Sequence, residues 1–354
     1  MSTDVTRIEL AKALKAIKAV STEEQFEQIK KMYIQPDDED SIMSAVNGLS
    51  EEDEFALLTK LLGTANHIIG FEQRPLVEGE YIVADYYLNI KPACSIHGKN
   101  KDKFPDYKCV VDVKSTEKDL FRVGGKRLQR LRNFADLLGL PLFFAVRFLK
   151  FNNSALWAIV KDKDRSSTYL HVTYDNIING FRHVFWDEYC LSPNPNLIVV
   201  ARFSKSSTVS SVSHPDYGIQ IELTFTENGN KTLYTLHNEE ALLTSGLMEA
   251  YNLEEIKVEK VNDDITLQYL KPTLMTAFLA DLIFKTNRLP VDEFGRIIYD
   301  ASKLIVRSDT GAHDNLIDRN KVELIAKPLI ESHILFVSKI KDHLTLWKSL
   351  GGQE

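Results

Sequence analysis

The order in which the hydrophobic period changes along residues 50–148 limits the fold of this chain more than any other feature. The run EEDEFALLTKLL has helical periodicity, an acidic first turn that suits a positive helix end, and Ser50 placed to cap it. Gly63 marks its stop. Three strand-like runs follow: HIIGFEQRPLV, then YIVADYYLNI after the turn at Glu78-Gly79, then KCVVDVKST after a long polar loop. The first two are expected to form a hairpin. Gly124-Gly125 introduces a helix over 126–138, ended by Gly139 and followed by the buried-strand pattern LPLFFAVRF. Helix, three strands, helix and strand in this order predict an α/β domain.

The flanks differ in character. Residues 1–50 read as helical, with Ile8, Leu10, Leu14 and Ile17 at helical spacing and a Ser-x-x-Glu capping box at Ser21 and Glu24. Beyond the core, strand patterns recur at ALWAIV, TYLHVTY, NLIVVARF, YGIQIELTF and KTLYTL, the last two joined by the hairpin signal Asn228-Gly229. The serine-rich SKSSTVSSVSH reads as a flexible loop or linker, and from Leu267 onward the pattern turns helical. At 354 residues the chain exceeds the roughly 250–300 at which single cores stop growing. We therefore expect an N-terminal helical segment (1–50), an α/β core (51–165) and an α+β region (166–354) for substrate recognition or dimerisation.

Apolar and charged fractions of 44% and 26% exclude a disordered or fibrous chain. No run approaches the roughly 18 apolar residues of a membrane span, and MSTDVTRIEL lacks a secretory pattern, so a cytoplasmic protein without a membrane partner is expected. Cys94, Cys109 and Cys190 are too few to staple the fold and point to reduced thiols. The net charge of −7 does not advertise a nucleic-acid partner, but binding follows local potential rather than the sum.

Along a strand, side chains alternate between faces, so Asp112 and Lys114 project to one side while Val111 and Val113 enter the core. Asp85, on the preceding strand-like run, can bring its carboxylate near Asp112. Two carboxylates and an amine suit phosphodiester cleavage. Magnesium takes one or two carboxylates and leaves its other positions to water and phosphate, while an ammonium can stabilise the developing negative charge.

The segments VADYYL and CVVDVKST resemble the PD-(D/E)xK nuclease superfamily, which includes many restriction endonucleases and junction resolvases; the similarity spans Glu51 to Phe148. It implies a restriction-endonuclease-like αβββαβ core with a mixed sheet. Ala84 stands where the family's usual form has proline, whereas Asp112-Val113-Lys114 fits as it stands. The resemblance implies a Mg2+-dependent (or Mn2+-dependent) endodeoxyribonuclease acting on DNA, in restriction or defence against foreign DNA. Members often add a glutamate from the first helix, for which Glu54 is the choice because it shares a face with Leu57, Leu58 and Leu61, with Glu51 and Glu72 as alternatives. Asp85, Asp112 and Glu54 are then the metal ligands, and Lys114 completes the catalytic set. On the following helix Leu128, Leu131, Ala135 and Leu138 can pack on the sheet, leaving Lys126, Arg127 and Arg130, joined by Gln129, for a phosphate backbone.

Rival readings are blander. A D-x-K triplet arises often by chance, the basic run can be a solvated face, and Lys99, Lys101 and Lys103 can simply keep a loop soluble. Cys94, His97 and Cys109 lack a fourth zinc ligand at familiar spacing, while His183 and Trp186 read as core residues. The alternative functions are a non-catalytic nucleic-acid-binding or assembly protein that keeps a nuclease-like sheet, or a nuclease acting on RNA or on branched DNA in repair.

Overall fold

The computed structural model describes residues 3–35, 38–71, 80–90, 106–150, 156–210, 212–287 and 316–338. These fall into two compact units, one holding 3–187 and the other 188–287 with 316–338.

Three helices open the first unit: α1 (Thr3–Val20), α2 (Glu23–Tyr33) and α3 (Glu39–Leu61). Helical structure before residue 50 follows the sequence, but two local signals are displaced. The capping box of α2 is Thr22 with Gln25, each side chain accepting from the other's backbone N–H, at 3.3 and 3.0 Å. Ser21 instead turns its hydroxyl back to the Ile17 carbonyl. Ser50 lies inside α3 rather than at its start. Ile42 and Val46 of that helix already pack with Ala11, Leu14, Phe26 and Ile34, and this burial carries the helix through a residue that favours caps. Gly63, at φ +70°, stands just past the end of α3 as expected.

Next come β1 (Ala65–Gly70), β2 (Tyr86–Ile90), β3 (Tyr107–Thr116), β4 (Leu120–Gly124), α4 (Gly125–Leu137), β5 (Leu142–Phe148), β6 (Trp157–Lys161), β7 (Tyr169–Thr173), α5 (Asp175–Asn179) and α6 (Arg182–Trp186). The main sheet has the order β1-β2-β3-β5-β6. Only β3 and β5 run parallel in it, so the fold is mixed α/β on a mixed sheet, and β1 with β2 forms the anticipated hairpin. Every residue of β5 is buried. Leu128, Leu131 and Ala135 of α4 are buried too, and on α3 the Phe55 ring meets Tyr86, Trp157 and Trp186. Trp186 and His183 are core residues; their ring nitrogens reach Thr59 Oγ1 and the Ile178 carbonyl oxygen. Strand β4 pairs with β7 as a separate two-stranded ribbon.

The second unit contains β8 (Cys190–Pro193), β9 (Leu197–Ser204), β10 (Ile219–Glu227), β11 (Lys231–His237), α7 (Asn238–Met248), β12 (Leu253–Lys260), β13 (Ile265–Pro272), β14 (Ala277–Phe278), α8 (Leu279–Thr286), α9 (Arg319–Glu331) and β15 (Leu335–Ser338). Its antiparallel sheet has the order β11-β10-β9-β13-β12. Asn228 and Gly229 both take positive φ in the β10–β11 turn, as their sequence demands. The helical expectation from Leu267 onward is corrected: Leu267 lies within β13, where pairing with β9 and β12 overrides its local pattern. Helix α9 likewise stops before His333, which adopts φ +57°, and Leu335-Phe336-Val337 then pairs with β8. The serine-rich segment is anchored at its start, since Asp264 accepts from the Ser204 hydroxyl and the Ser206 N–H. Among the described residues no helix is long and apolar enough to cross a membrane.

Candidate active site

The site is assembled by β3 and the residue that enters β2. Asp112 and Lys114 alternate with the buried Val111 and Val113 and so face away from them. Asp85 sits immediately before β2 rather than on it, yet it is fixed to β3 twice. Its N–H donates to the Val111 carbonyl at 3.1 Å, and its Oδ2 accepts the Val113 N–H at 2.5 Å. Both carboxylates therefore reach one lysine. Lys114 Nζ lies 3.0 Å from Asp112 Oδ2 and 3.3 Å from Asp85 Oδ2, and it donates to the Val113 carbonyl at 2.5 Å.

Burial makes this cluster electrostatically expensive. Asp112 is 1% exposed, and removal from water pushes its carboxyl up to about 6 even though the Lys114 charge pulls the other way. Desolvation alone would lower Lys114, but Asp112 and Asp85 outweigh it and hold the ammonium above its ordinary value. The lysine is thus protonated at neutral pH.

Glu54 does not join this group, and the sequence expectation for it is corrected. It is fully buried, and its Oε1 accepts from Arg147 Nε at 2.7 Å and from Trp157 Nε1 at 2.9 Å. Arg147 pairs in register with Ser115, the neighbour of Lys114, so Glu54 serves the opposite side of β3. Sharing a face with leucines directs a helical residue into the core, away from the polar end of the sheet. The carboxyl of α3 that does sense the site is Glu52. Burial and then the Asp85 charge raise it to about 8, opposed by Lys114 and Lys15. The Tyr86 hydroxyl donates to the Glu52 backbone carbonyl, tying this turn of α3 to the residue after Asp85. No sequence periodicity singles Glu52 out. Glu51 is buried, and Glu72 lies outside the described residues.

The donor set is all oxygen. Among the described residues no three acidic, histidine or cysteine groups close into a cage for a metal. Two carboxylates and the Val113 carbonyl around one ammonium fit instead a hard cation that keeps waters and takes further ligands from phosphate. Cys109 is wholly buried, and among the described residues it belongs to no cluster of three or more possible metal ligands. Cys94 and His97, like Lys99, Lys101 and Lys103, lie outside the described residues.

On α4, Lys126, Arg127, Gln129 and Arg130 are all exposed. Arg127 is close enough for its charge to act on both Asp112 and Lys114. Arg130 donates to the Tyr81 carbonyl at 3.1 Å and Gln129 to Asn133 at 2.9 Å. Arg132, the other arginine of the run, turns inward onto Asp162 with two 2.7 Å bonds.

No family model matches the sequence, and no curated protein matches it. Among solved structures the chain is similar to a Holliday junction resolvase from Archaeoglobus fulgidus, an archaeal hyperthermophile, at 14% identity and a TM-score of 0.25, over 38% of this chain and 89% of that one. At that score the likeness carries no weight, and function has to be sought in the side chains.

Proposed function

We propose that this chain is a metal-dependent endonuclease hydrolysing phosphodiester bonds in DNA, with α3 through β5 as a core of the PD-(D/E)xK kind. The supporting observation is the three-oxygen cradle of Asp85, Asp112 and the Val113 carbonyl around the Lys114 ammonium. Two carboxylates and a carbonyl oxygen converge there on one largely buried ammonium.

Asp85 and Asp112, with the Val113 carbonyl, would hold Mg2+ or Mn2+, and Glu52 stands near as a carboxyl protonated at neutral pH. Bound there, the ion would polarise the scissile phosphate and lower the cost of deprotonating the attacking water. Asp85 keeps its orientation through the Val113 N–H. Lys114, charged at neutral pH, offsets negative charge as it develops on the phosphate. Arg127 beside the acids, with Lys126, Arg130 and Gln129 along α4, binds the flanking backbone, which reconciles a net charge of −7 with a polyanionic substrate.

Plasmid nicking with Mg2+, Mn2+ and EDTA tests this, comparing wild type with Asp112→Ala and Lys114→Ala. Metal-dependent nicking lost in both variants is expected. Nicking untouched by either substitution would overturn the assignment, and cleavage of a labelled RNA but not of DNA would overturn the substrate.

A further inference from the structure

The ribbon that leads into α4 carries an unusual exposed pair. Its strands place Leu120, Arg122 and Gly124 opposite Thr173, His171 and Tyr169. Val123 and Val172, on the other face, are buried, while Leu120, Arg122, Tyr169 and His171 are exposed. The Arg122 guanidinium carbon lies 3.7 Å from the centre of the Tyr169 ring. Tyr169 in turn leans over Gly124 so closely that a Cβ there would fall 1.9 Å from a ring carbon. Glycine at 124 is what admits the tyrosine, and the tyrosine is what holds the arginine.

Beyond that stack, Arg122 has no hydrogen-bond or ion-pair partner among the described residues. A guanidinium whose carbon sits 3.7 Å from a ring centre still has N–H donors to offer, and these can grip phosphate in a two-pronged fashion. Its side-chain entropy is already spent, so little is lost on binding. No acid sits on this face of the ribbon or in the first turn of α4, where exposed Lys126 and Arg127 lie, although Asp119 and Asp175 flank its strands. Along the chain these basic residues lead from Arg122 to Arg127, whose charge acts on Asp112.

We propose that the outer face of the β4–β7 ribbon is a second contact for the phosphate backbone of the DNA held at the candidate active site, with Arg122 binding it and Tyr169 as the positioning residue. The proposal rests on the nuclease reading and extends the substrate beyond α4, to a duplex long enough to cover both α4 and the ribbon.

The test is equilibrium binding of a fluorescein-labelled 30-base-pair duplex in EDTA across a KCl series, so that cleavage does not enter. Arg122→Ala is expected to weaken binding about tenfold and to reduce the slope of log K against log salt by about one. Arg122→Lys should keep the slope and recover part of the affinity. Tyr169→Ala should weaken binding about threefold with the slope retained, and Tyr169→Phe should restore wild-type affinity. Both side chains are exposed, and a thermal melt of each variant confirms the fold. Unchanged affinity and slope in Arg122→Ala, with wild type still binding, would overturn the ribbon contact and leave the nuclease reading intact. Loss confined to particular sequences with an unchanged slope would overturn the phosphate assignment. Absence of salt-dependent binding by wild type would overturn both readings.

Discussion

The Asp112 carboxyl gives the site a thermodynamic signature that can be measured without any substrate. Its pKa rises from about 3.8 in the unfolded chain to about 6 in the folded one, chiefly through burial. The folded protein therefore binds this proton more tightly than the unfolded chain. The group's contribution to stability is full below pH 4 and is lost as pH rises through 6. A shift of two units corresponds to about 3 kcal/mol, counted at about 1.4 kcal/mol per unit. Asp112→Asn keeps the shape and abolishes the titration. It also removes a partner of Lys114, but that amine stays charged throughout this range, so its loss offsets the two curves without tilting them. Urea unfolding in EDTA at intervals from pH 4.5 to 7.5 should show the stability difference, variant minus wild type, growing by about 2 kcal/mol toward neutral pH. Millimolar Mg2+ should then stabilise wild type and not the variant, since a ligand stabilises only the form that binds it. Parallel pH curves would refute the claim that burial of a charged Asp112 opposes folding. Equal response to Mg2+ in both proteins would refute its role in holding the cation.

Three further outcomes follow from the same contacts. Glu54→Gln leaves the buried Arg147 guanidinium without its counter-charge and should cost about 3–5 kcal/mol in urea unfolding, while the folded fraction keeps its metal-dependent nicking; lost nicking at unchanged stability would return Glu54 to the site. Asp85→Ala strands the buried Val113 N–H and should cost about 1–3 kcal/mol that Asp85→Asn recovers, whereas both should lose cleavage; equal stability in the two would show that the 2.5 Å bond contributes nothing. Glu52 is held protonated up to about pH 8, so the Mg2+ needed for half-maximal nicking should fall between pH 6.5 and 8.5 in wild type, and less so in Glu52→Gln. An identical pH response in the two would remove Glu52 from the metal's surroundings.

Much of the first unit is legible in the sequence because its signals are local. The run CVVDVKST alternates, so the shared face of Asp112 and Lys114 is written in its period, and Gly63 and Gly139 both take the positive φ that their places after helices imply. Asn228-Gly229 specifies its turn in the same way. What fails depends on partners distant in the chain. Ser50 has the chemistry of a cap but sits in a helix held from outside by Ala11 and Leu14. Leu267 belongs to a strand because β9 and β12 lie on either side of it. Glu54 and Glu52 are two residues apart on one helix, and nothing local says that Arg147 and Trp157 claim the first while Asp85 and Lys114 act on the second.

Among the described residues of unit one, three of the buried or largely buried ion pairs separate fixed from working charge, and a fourth, Lys15 with Asp53, joins α1 to α3. Glu54 meets Arg147 with both side chains wholly buried, and Asp162 meets Arg132 through two 2.7 Å bonds. Arginine suits both places, because a guanidinium that stays charged and spreads its donors in a plane can satisfy a carboxylate permanently. The third pair uses lysine, a compact cation that is more readily displaced, shared between Asp112 and Asp85 and 22% exposed at its side chain. Burial that Lys114 does not offset raises the carboxyl of Asp112. Substituting Lys114→Arg therefore discriminates structure from function. If the cradle were a scaffold, arginine would fill it at least as well and stability would hold. As a site whose compact ammonium acts beside a metal and a phosphate, it should keep its fold and lose its nicking, and retained nicking would refute that role.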